Sequence, residues 1–266
     1  RIPWDARALG PMTTELLAAN SMPDAFIYWQ VSRGTPMPGS PVRQRVPQAG
    51  MPVTVFGYGA LQPAIEAYAS PVETTAATRP DLRWHRGHVK STSLLGNVIS
   101  VIEASELGAN DAILVREGPG GRFVSEGSAT NVILALRHPG AGLPGTLNGV
   151  DLVTPDLSST SILAGVTRSL LLGGAGPQDA MAHNPALPEL VTRPVRAEEL
   201  AAAEEIMLVG STSMVTSIVQ LDGRPVGNGH AGPIARWLLG RLVDSIAREL
   251  GFDLHALAGA PATVRA

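Results

Sequence analysis

The sequence has no cysteine among its 266 residues, which excludes a disulfide scaffold, a thiol nucleophile and a zinc–thiolate site. It also lacks an excess of charge. Twenty basic against 23 acidic side chains leave a net charge of −3, so bulk electrostatics gives no case for a nucleic-acid partner. No apolar run approaches the ~18 residues of a membrane span and no signal-peptide pattern is visible, so the protein reads as cytoplasmic, with no membrane partner. Several local signatures are missing as well. There is no G-x-S-x-G nucleophile elbow and no H-E-x-x-H zinc motif, and the glycine turn at 118–121 lacks the Lys-Ser/Thr of a phosphate loop. Gly57-Tyr58-Gly59 begins like a dinucleotide loop, but Gln62 occupies the third glycine position. His85 and His88 stand three apart with no third ligand in evidence, so no metal is expected.

The scarcest charged residue is lysine. Nineteen of the 20 basic residues are arginine, and the exception is Lys90. A bias toward arginine for surface cations accounts for the nineteen. It does not account for the one, because a guanidinium keeps its proton in a protein whereas a primary amine can lose it and attack a carbonyl. Lys90 is therefore a candidate for amine chemistry, with a solvated lysine as the plain alternative.

What is present suits a folded protein with a sizeable core: 44% hydrophobic and 16% charged residues. The 29 glycines and 22 prolines make loops plentiful but stay under the roughly 25–30% of a low-complexity chain. Patterning predicts a helix ending near residue 20, strands at 25–32 and 52–58 around a Gly/Pro-rich loop, and a connection over 59–71. Strands follow at 72–78, 112–115, 123–126 and 130–136. Helical spacing of Leu94, Leu95, Val98, Ile99 and Ile102 predicts an amphipathic helix over 91–107, with Lys90 at its entrance. A helix is expected to start at Gly165, strands at 206–209 and 214–221 to flank the turn Gly210-Ser211-Thr212-Ser213, and an amphipathic helix to close over 231–251. Strands and helices mix without regular βαβ alternation, so the fold class expected is mixed α/β or α+β rather than a doubly wound sheet.

Several segments, in order, resemble one known family. Arg83-Trp84 followed by His88-Val89-Lys90-Ser91 and Leu94-Leu95-Gly96-Asn97-Val98 resembles the cofactor-lysine segment of class IV (fold type IV) pyridoxal-phosphate aminotransferases, closest to their D-amino-acid branch. Ser125-Glu126-Gly127-Ser128-Ala129-Thr130-Asn131 is similar to that family's E-G-S-x-x-N segment, and Leu163-Ala164-Gly165-Val166-Thr167-Arg168 to its L-x-G-[VI]-T-R segment. Ser211-Thr212-Ser213 and Asp222-Gly223-Arg224-Pro225-Val226-Gly227 match its closing elements, and 25–34 its strand leading to the substrate loop. Two features depart from the pattern: Ile133 stands where Phe or Tyr is usual, and 137–148 forms an insertion that reads as an enlarged hairpin loop.

The resemblance implies a two-domain fold type IV enzyme. Residues 1–63 would be the remainder of a small N-terminal α/β domain, 64–71 the connection, and 72–266 a large domain binding pyridoxal 5'-phosphate, with the site between domains and a homodimeric assembly. It implies a ping-pong transaminase moving an amino group between an amino acid, a D-amino acid favoured, and a 2-oxo acid. Lys90 would bond the cofactor as a Schiff base and shuttle protons, and Glu126 would pair with the pyridine nitrogen. Backbone N–H groups of Val166 and Thr167, the Thr167 hydroxyl, Ser211 and Thr212 would receive the phosphate, although an ordinary β-turn remains the alternative for Ser211. Arg43 and Arg45, two apart and on one side of an extended loop, would grip the substrate carboxylate, with Tyr28 lining the same pocket. The alternative for the two arginines is a pair of solvated side chains. Branched-chain L-amino-acid or (R)-amine transamination, aminodeoxychorismate lyase activity and a non-catalytic scaffold of the same fold are the other readings. In the family a longer stretch precedes the strand at 25–32, carrying a phosphate-clasping arginine and a tyrosine that have no counterpart here. Arg1 being no natural start, the chain is read as a piece of a longer product, with a naturally short protein as the alternative.

Overall fold

Residues 5–22, 24–41, 46, 48–63, 68–140, 146–173, 188 and 190–251 are described by the computed structural model. The chain divides into two units, Arg1–Ala67 and Tyr68–Ala266. In the first, helix α1 (Leu9–Ala19) precedes an antiparallel pair, β1 (Ala25–Ser32) and β2 (Thr54–Leu61), with Tyr28 opposite Tyr58 and Trp29 opposite Gly57. The indole N–H of Trp29 donates to Thr13 Oγ1 at 2.9 Å, tying strand to helix. A Cβ on Gly57 would overlap the Trp29 ring, so this glycine makes room for an aromatic neighbour and is no part of a nucleotide loop. β2 runs on to Leu61, three residues past the expected strand end.

The second unit is built on a nine-stranded sheet: β3 (Val72–Pro80), β4 (Asp111–Gly118), β5 (Gly121–Gly127), β6 (Asn131–Arg137), β7 (Val150–Pro155), β8 (Leu190–Arg193), β9 (Glu205–Gly210), β10 (Met214–Leu221) and the short β11 (Arg224–Pro225). Side by side they run β5-β4-β3-β10-β9-β6-β7-β8, with β11 on β10. β3 is parallel to both β10 and β4, and β7 is parallel to β8; the other pairs are antiparallel. The sheet is mixed, as the irregular order of elements predicts. Among the described residues, helices α2 (Leu95–Glu106), α3 (Val166–Leu171) and α4 (Pro233–Leu250) accompany the sheet.

The sheet has to curl. β5 and β6 are five strand spacings apart in that order, about 24 Å on a flat sheet. Yet the step from Gly127 to Asn131 spans at most about 14 Å of chain, and the Gly127 N–H donates to Thr130 O at 2.8 Å. Strand alternation then sends Ile113 and Val115 of β4 into one cluster with Val124, Val132, Leu134, Ile206, Leu208 and Ile218, while Ala112 and Leu114 join Ala77 and Ala104 in another. Each buried Val, Leu or Ile among them contributes roughly 1.5–3 kcal/mol by leaving water, the alanines less. α4 packs its Ile234, Leu238, Leu239 and Leu242 face on β9 and β10 and ends at Gly251 in the left-handed region (φ 72°). Its first turn is capped from a strand: Glu205 accepts the N–H groups of Ile234 and Ala235, both at 2.9 Å. Burial pushes the Glu205 carboxyl up, with these two donors pulling the other way.

One expectation needs correction. The helix after Lys90 starts at Leu95 rather than Ser91, so Lys90 lies on a stretch of turns and bends ahead of it. Its apolar stripe does not face the chain's own core. Leu95, Val98 and Ile102 are 72%, 50% and 53% exposed, while the side chains buried against β3 and β4 are Ser100 and Ala104. β6 and β7 pair antiparallel on either side of the insertion, with Arg137 opposite Val150 and its guanidinium donating to Asn148 O and Thr146 O; residues 141–145 of the insertion lie outside the described residues. β7, β8 and the 3-10 turn Ala197–Ala202 carry too little periodicity to be foreseen.

Candidate active site

The candidate groups of the second unit gather at strand ends and turns. Lys90 follows the turn at residues 85–88, is exposed, and makes no hydrogen bond or ion pair among the described residues. Its segment is docked on the loop between β7 and α3. Ser161, at φ 57°, bonds His88 Nδ1 and donates to His85 O, both at 3.1 Å, and its carbonyl occupies the place a Cβ on Gly87 would need. A non-glycine residue in that region is held there by its surroundings.

Glu126 is the penultimate residue of β5 and is 5% exposed. Arg83 Nη1 pairs with its Oε1, while Asn131 Nδ2 (3.1 Å) and the Leu163 N–H (3.2 Å) donate to Oε2. Arg83 is in turn gripped by Asp81, Nε to Oδ1 at 2.9 Å and Nη2 to Oδ2 at 2.8 Å, and Asp81 takes a further bond from Arg116 Nη2 at 2.9 Å. The result is a buried row of alternating charge: Glu126, Arg83, Asp81, Arg116. Burial pushes the Glu126 carboxyl above its ordinary value, and Arg83 only partly opposes this. Asp81 is also penalised by burial, but Arg83 and Arg116 outweigh that and hold it low. Each carboxylate oxygen of Glu126 has two lone pairs, so capacity for a further donor remains.

Two turns offer N–H groups. Gly165 (φ −65°, ψ 140°) caps α3. No acceptor among the described residues takes the N–H of Val166 or Thr167, as befits the first turn of a helix. Val166 is exposed and the Thr167 side chain buried. The β9–β10 turn carries Ser211 and Thr212, both exposed and with equally free N–H groups, while the buried hydroxyls of Ser213 and Thr130 have no hydrogen-bond partner among the described residues. The Gly165 turn meets Glu126 through Asn131, whose Oδ1 a Cβ on Gly165 would overlap and whose Nδ2 donates to the carboxylate, while a Cβ on Gly210 would press on Ser213 Oγ and Thr130 Cγ2.

Tyr28 lies in the first unit, its hydroxyl 3.1 Å from Gln30 Oε1 and its ring 5.4 Å from that of Tyr58. Arg43 and Arg45 fall outside the described residues. Arg83 and Asn131 stand inside the recognised segments without a role being legible there, and Asp81 and Arg116 carry no local signal at all. The donor set suits pyridoxal 5'-phosphate: an unengaged primary amine, a buried carboxylate with capacity to spare, and two turns with N–H groups free for a phosphate.

A sequence model of the class IV amino-transferases matches residues 1–221. The D-alanine aminotransferase of Bacillus licheniformis is 29% identical over 244 residues, covering 88% of this chain and 72% of that protein. The D-alanine aminotransferase of Listeria monocytogenes is 28% identical over 251 residues, 94% of this chain and 77% of its own. Among solved structures, the branched-chain amino acid aminotransferase of Thermobaculum terrenum in its PLP form superposes with a TM-score of 0.69, at 21% identity, over 95% of this chain and 73% of that one.

Proposed function

The chain belongs to the class IV aminotransferases, enzymes of pyridoxal 5'-phosphate, and from that premise we propose that it transfers the amino group of a D-amino acid to a 2-oxo acid. The observation that carries the substrate reading is the set of relatives named D-alanine aminotransferase, matched over about nine-tenths of the chain. A branched-chain L-amino-acid transaminase is the second reading, favoured by the fold neighbour of that name.

We assign Lys90 Nζ as the amine that would hold the cofactor covalently and, once displaced by the substrate's amino group, would move the proton at the substrate's α-carbon. The cofactor supplies the electron sink for the pair left when that C–H bond breaks. Glu126 holds the proton on the ring nitrogen, kept in place by Arg83, Asn131 and the Leu163 N–H. The N–H groups of Val166, Thr167, Ser211 and Thr212, with the hydroxyls of the last three, bind the phosphate. Arg43 and Arg45 receive the substrate carboxylate through charge-assisted bonds, with Tyr28 beside it. The experiment is a pair of assays with 2-oxoglutarate as acceptor. Turnover with D-alanine is expected to exceed that with L-leucine by at least about tenfold in kcat/KM. The reverse order moves the enzyme to the branched-chain reading.

We also propose a homodimer. What supports it is the exposed row Leu95, Val98 and Ile102 on α2, an apolar face that the chain's own core leaves uncovered. The double variant V98D/I102D is expected to sediment as a monomer where the parent sediments as a dimer, with its far-UV circular dichroism unchanged. A parent that is itself monomeric at micromolar concentration removes this reading.

A further inference from the structure

Asn131 does more than help to hold Glu126. It opens β6, is 4% exposed, and spends both N–H bonds of its amide: one on Glu126 Oε2 at 3.1 Å, the other on Leu163 O at 3.0 Å. Both neighbours are acceptors, which fixes the amide's orientation without ambiguity. Its Oδ1 fills the space beside Gly165 that a Cβ would need. Leu163 closes the figure, since its N–H donates to the same Glu126 oxygen (3.2 Å) and its carbonyl accepts the Gly165 N–H (2.9 Å). One buried side chain thus touches the carboxylate assigned to the cofactor's ring and the turn assigned to its phosphate. A displacement at either end meets this amide, whose two N–H groups are both spent on the network and leave it few other arrangements, while Leu163 connects the same two ends through the main chain.

We propose that Asn131 is a positioning residue that locks the Glu126 carboxylate to the Gly165–Thr167 turn, so that the ring end and the phosphate end of the cofactor are bound cooperatively rather than independently. The proposal rests on the assignment of this site to pyridoxal 5'-phosphate. It predicts that the gain in affinity due to the phosphate group depends on a residue that touches no phosphate. Gly165 provides a second, independent way of disturbing the same contact, since a methyl group there drives the amide out from the other side.

The test titrates apoprotein with pyridoxal 5'-phosphate and with pyridoxal, following protein fluorescence and Schiff-base absorbance; the ratio of the two dissociation constants is the phosphate gain. Asn131→Ala and Gly165→Ala are each expected to lower that gain roughly tenfold, the effect of about one hydrogen bond. In the double variant the methyl fits the space vacated by the amide, so Gly165→Ala should cost no more than about twofold further. Weakened binding of both ligands by the same factor, the gain staying within about twofold of the parent value, overturns the inference. Additive losses in the double variant overturn it as well. Should Asn131→Ala fail to unfold cooperatively, Gly165→Ala alone decides by the same gain. A parent protein that forms no Schiff base with either ligand defeats the cofactor assignment itself, a failure seen before any variant is made.

Discussion

Replacement of Lys90 by alanine is expected to remove the Schiff-base absorbance of the cofactor-loaded protein completely and to lower transamination by at least about 10⁴-fold. That figure combines the loss of a covalent attachment with the roughly 10²–10⁴-fold owed to a positioned proton carrier. The composition makes this test unusually clean. Lys90 is the single lysine of the 266 residues, so the variant contains no ε-amine to substitute for it. Borohydride, which delivers hydride to the C=N bond and fixes the cofactor as a stable secondary amine, should label one peptide of the parent and none of Lys90→Ala. Lys90→Arg separates nucleophile from charge: the guanidinium keeps the cation but cannot give up its proton at working pH, so it should be as inactive as alanine. The exposed Lys90 side chain makes no hydrogen bond or ion pair among the described residues, so neither substitution should move the thermal midpoint of the apoprotein by more than about a degree. A Schiff-base band surviving in Lys90→Ala would overturn the assignment.

The same lysine shows how far the sequence could be read. Its singularity and its flanking residues are visible in the chain, and so are Glu126 and the Gly165–Thr167 turn, because each belongs to a short contiguous segment with a chemical reason for its residues. What holds Glu126 is assembled from afar. Arg83 reaches it across 43 positions, Leu163 across 37, and Asp81 enters only through Arg83. No local pattern reports such pairings, since they depend on the curl that brings the end of β5 beside the start of β6. The helix after Lys90 shows the opposite failure. Its 3.6-residue spacing of Leu95, Val98 and Ile102 is real, but periodicity says that a face is apolar and not what covers it. In α4 the same signal pointed to the core, because β9 and β10 lie beneath it. Glu205 was equally invisible: as a cap it lies outside α4 and 28 positions before Pro233, where no capping residue would be sought.

The second large effect is expected at Arg83. Arg83→Met keeps much of the side chain's length and removes its charge, leaving Glu126 without its cation and Asp81 with only Arg116. Arg83 is 9% exposed and the side chains of Glu126 and Asp81 6% and 0%, so water cannot replace what is lost. Removing one partner from such a pair costs about 3–5 kcal/mol, enough to lower the apoprotein's urea midpoint by more than one molar at a typical slope. The pH dependence follows from the two carboxyls. Glu126 already titrates above its ordinary value, so its charged form opposes folding, and that penalty fades as pH falls toward the unfolded-state value. Without Arg83 the penalty grows, again only where the group is ionised. Asp81 is held low by Arg83 and Arg116, so the stability it contributes is present above the unfolded-state value near 4 and disappears in acid. Both groups therefore give the same sign: the gap between parent and Arg83→Met should be widest at pH 7 to 8 and narrow steadily below pH 5. Glu126→Gln added to Arg83→Met removes the uncompensated charge, so the double variant should recover part of the loss at neutral pH and show a flatter pH profile than Arg83→Met alone. A gap that stays constant from pH 8 to pH 4.5 would mean that the loss comes from packing, and that the buried row of charges from Glu126 to Arg116 does not set the ionisation of the carboxylate at its end.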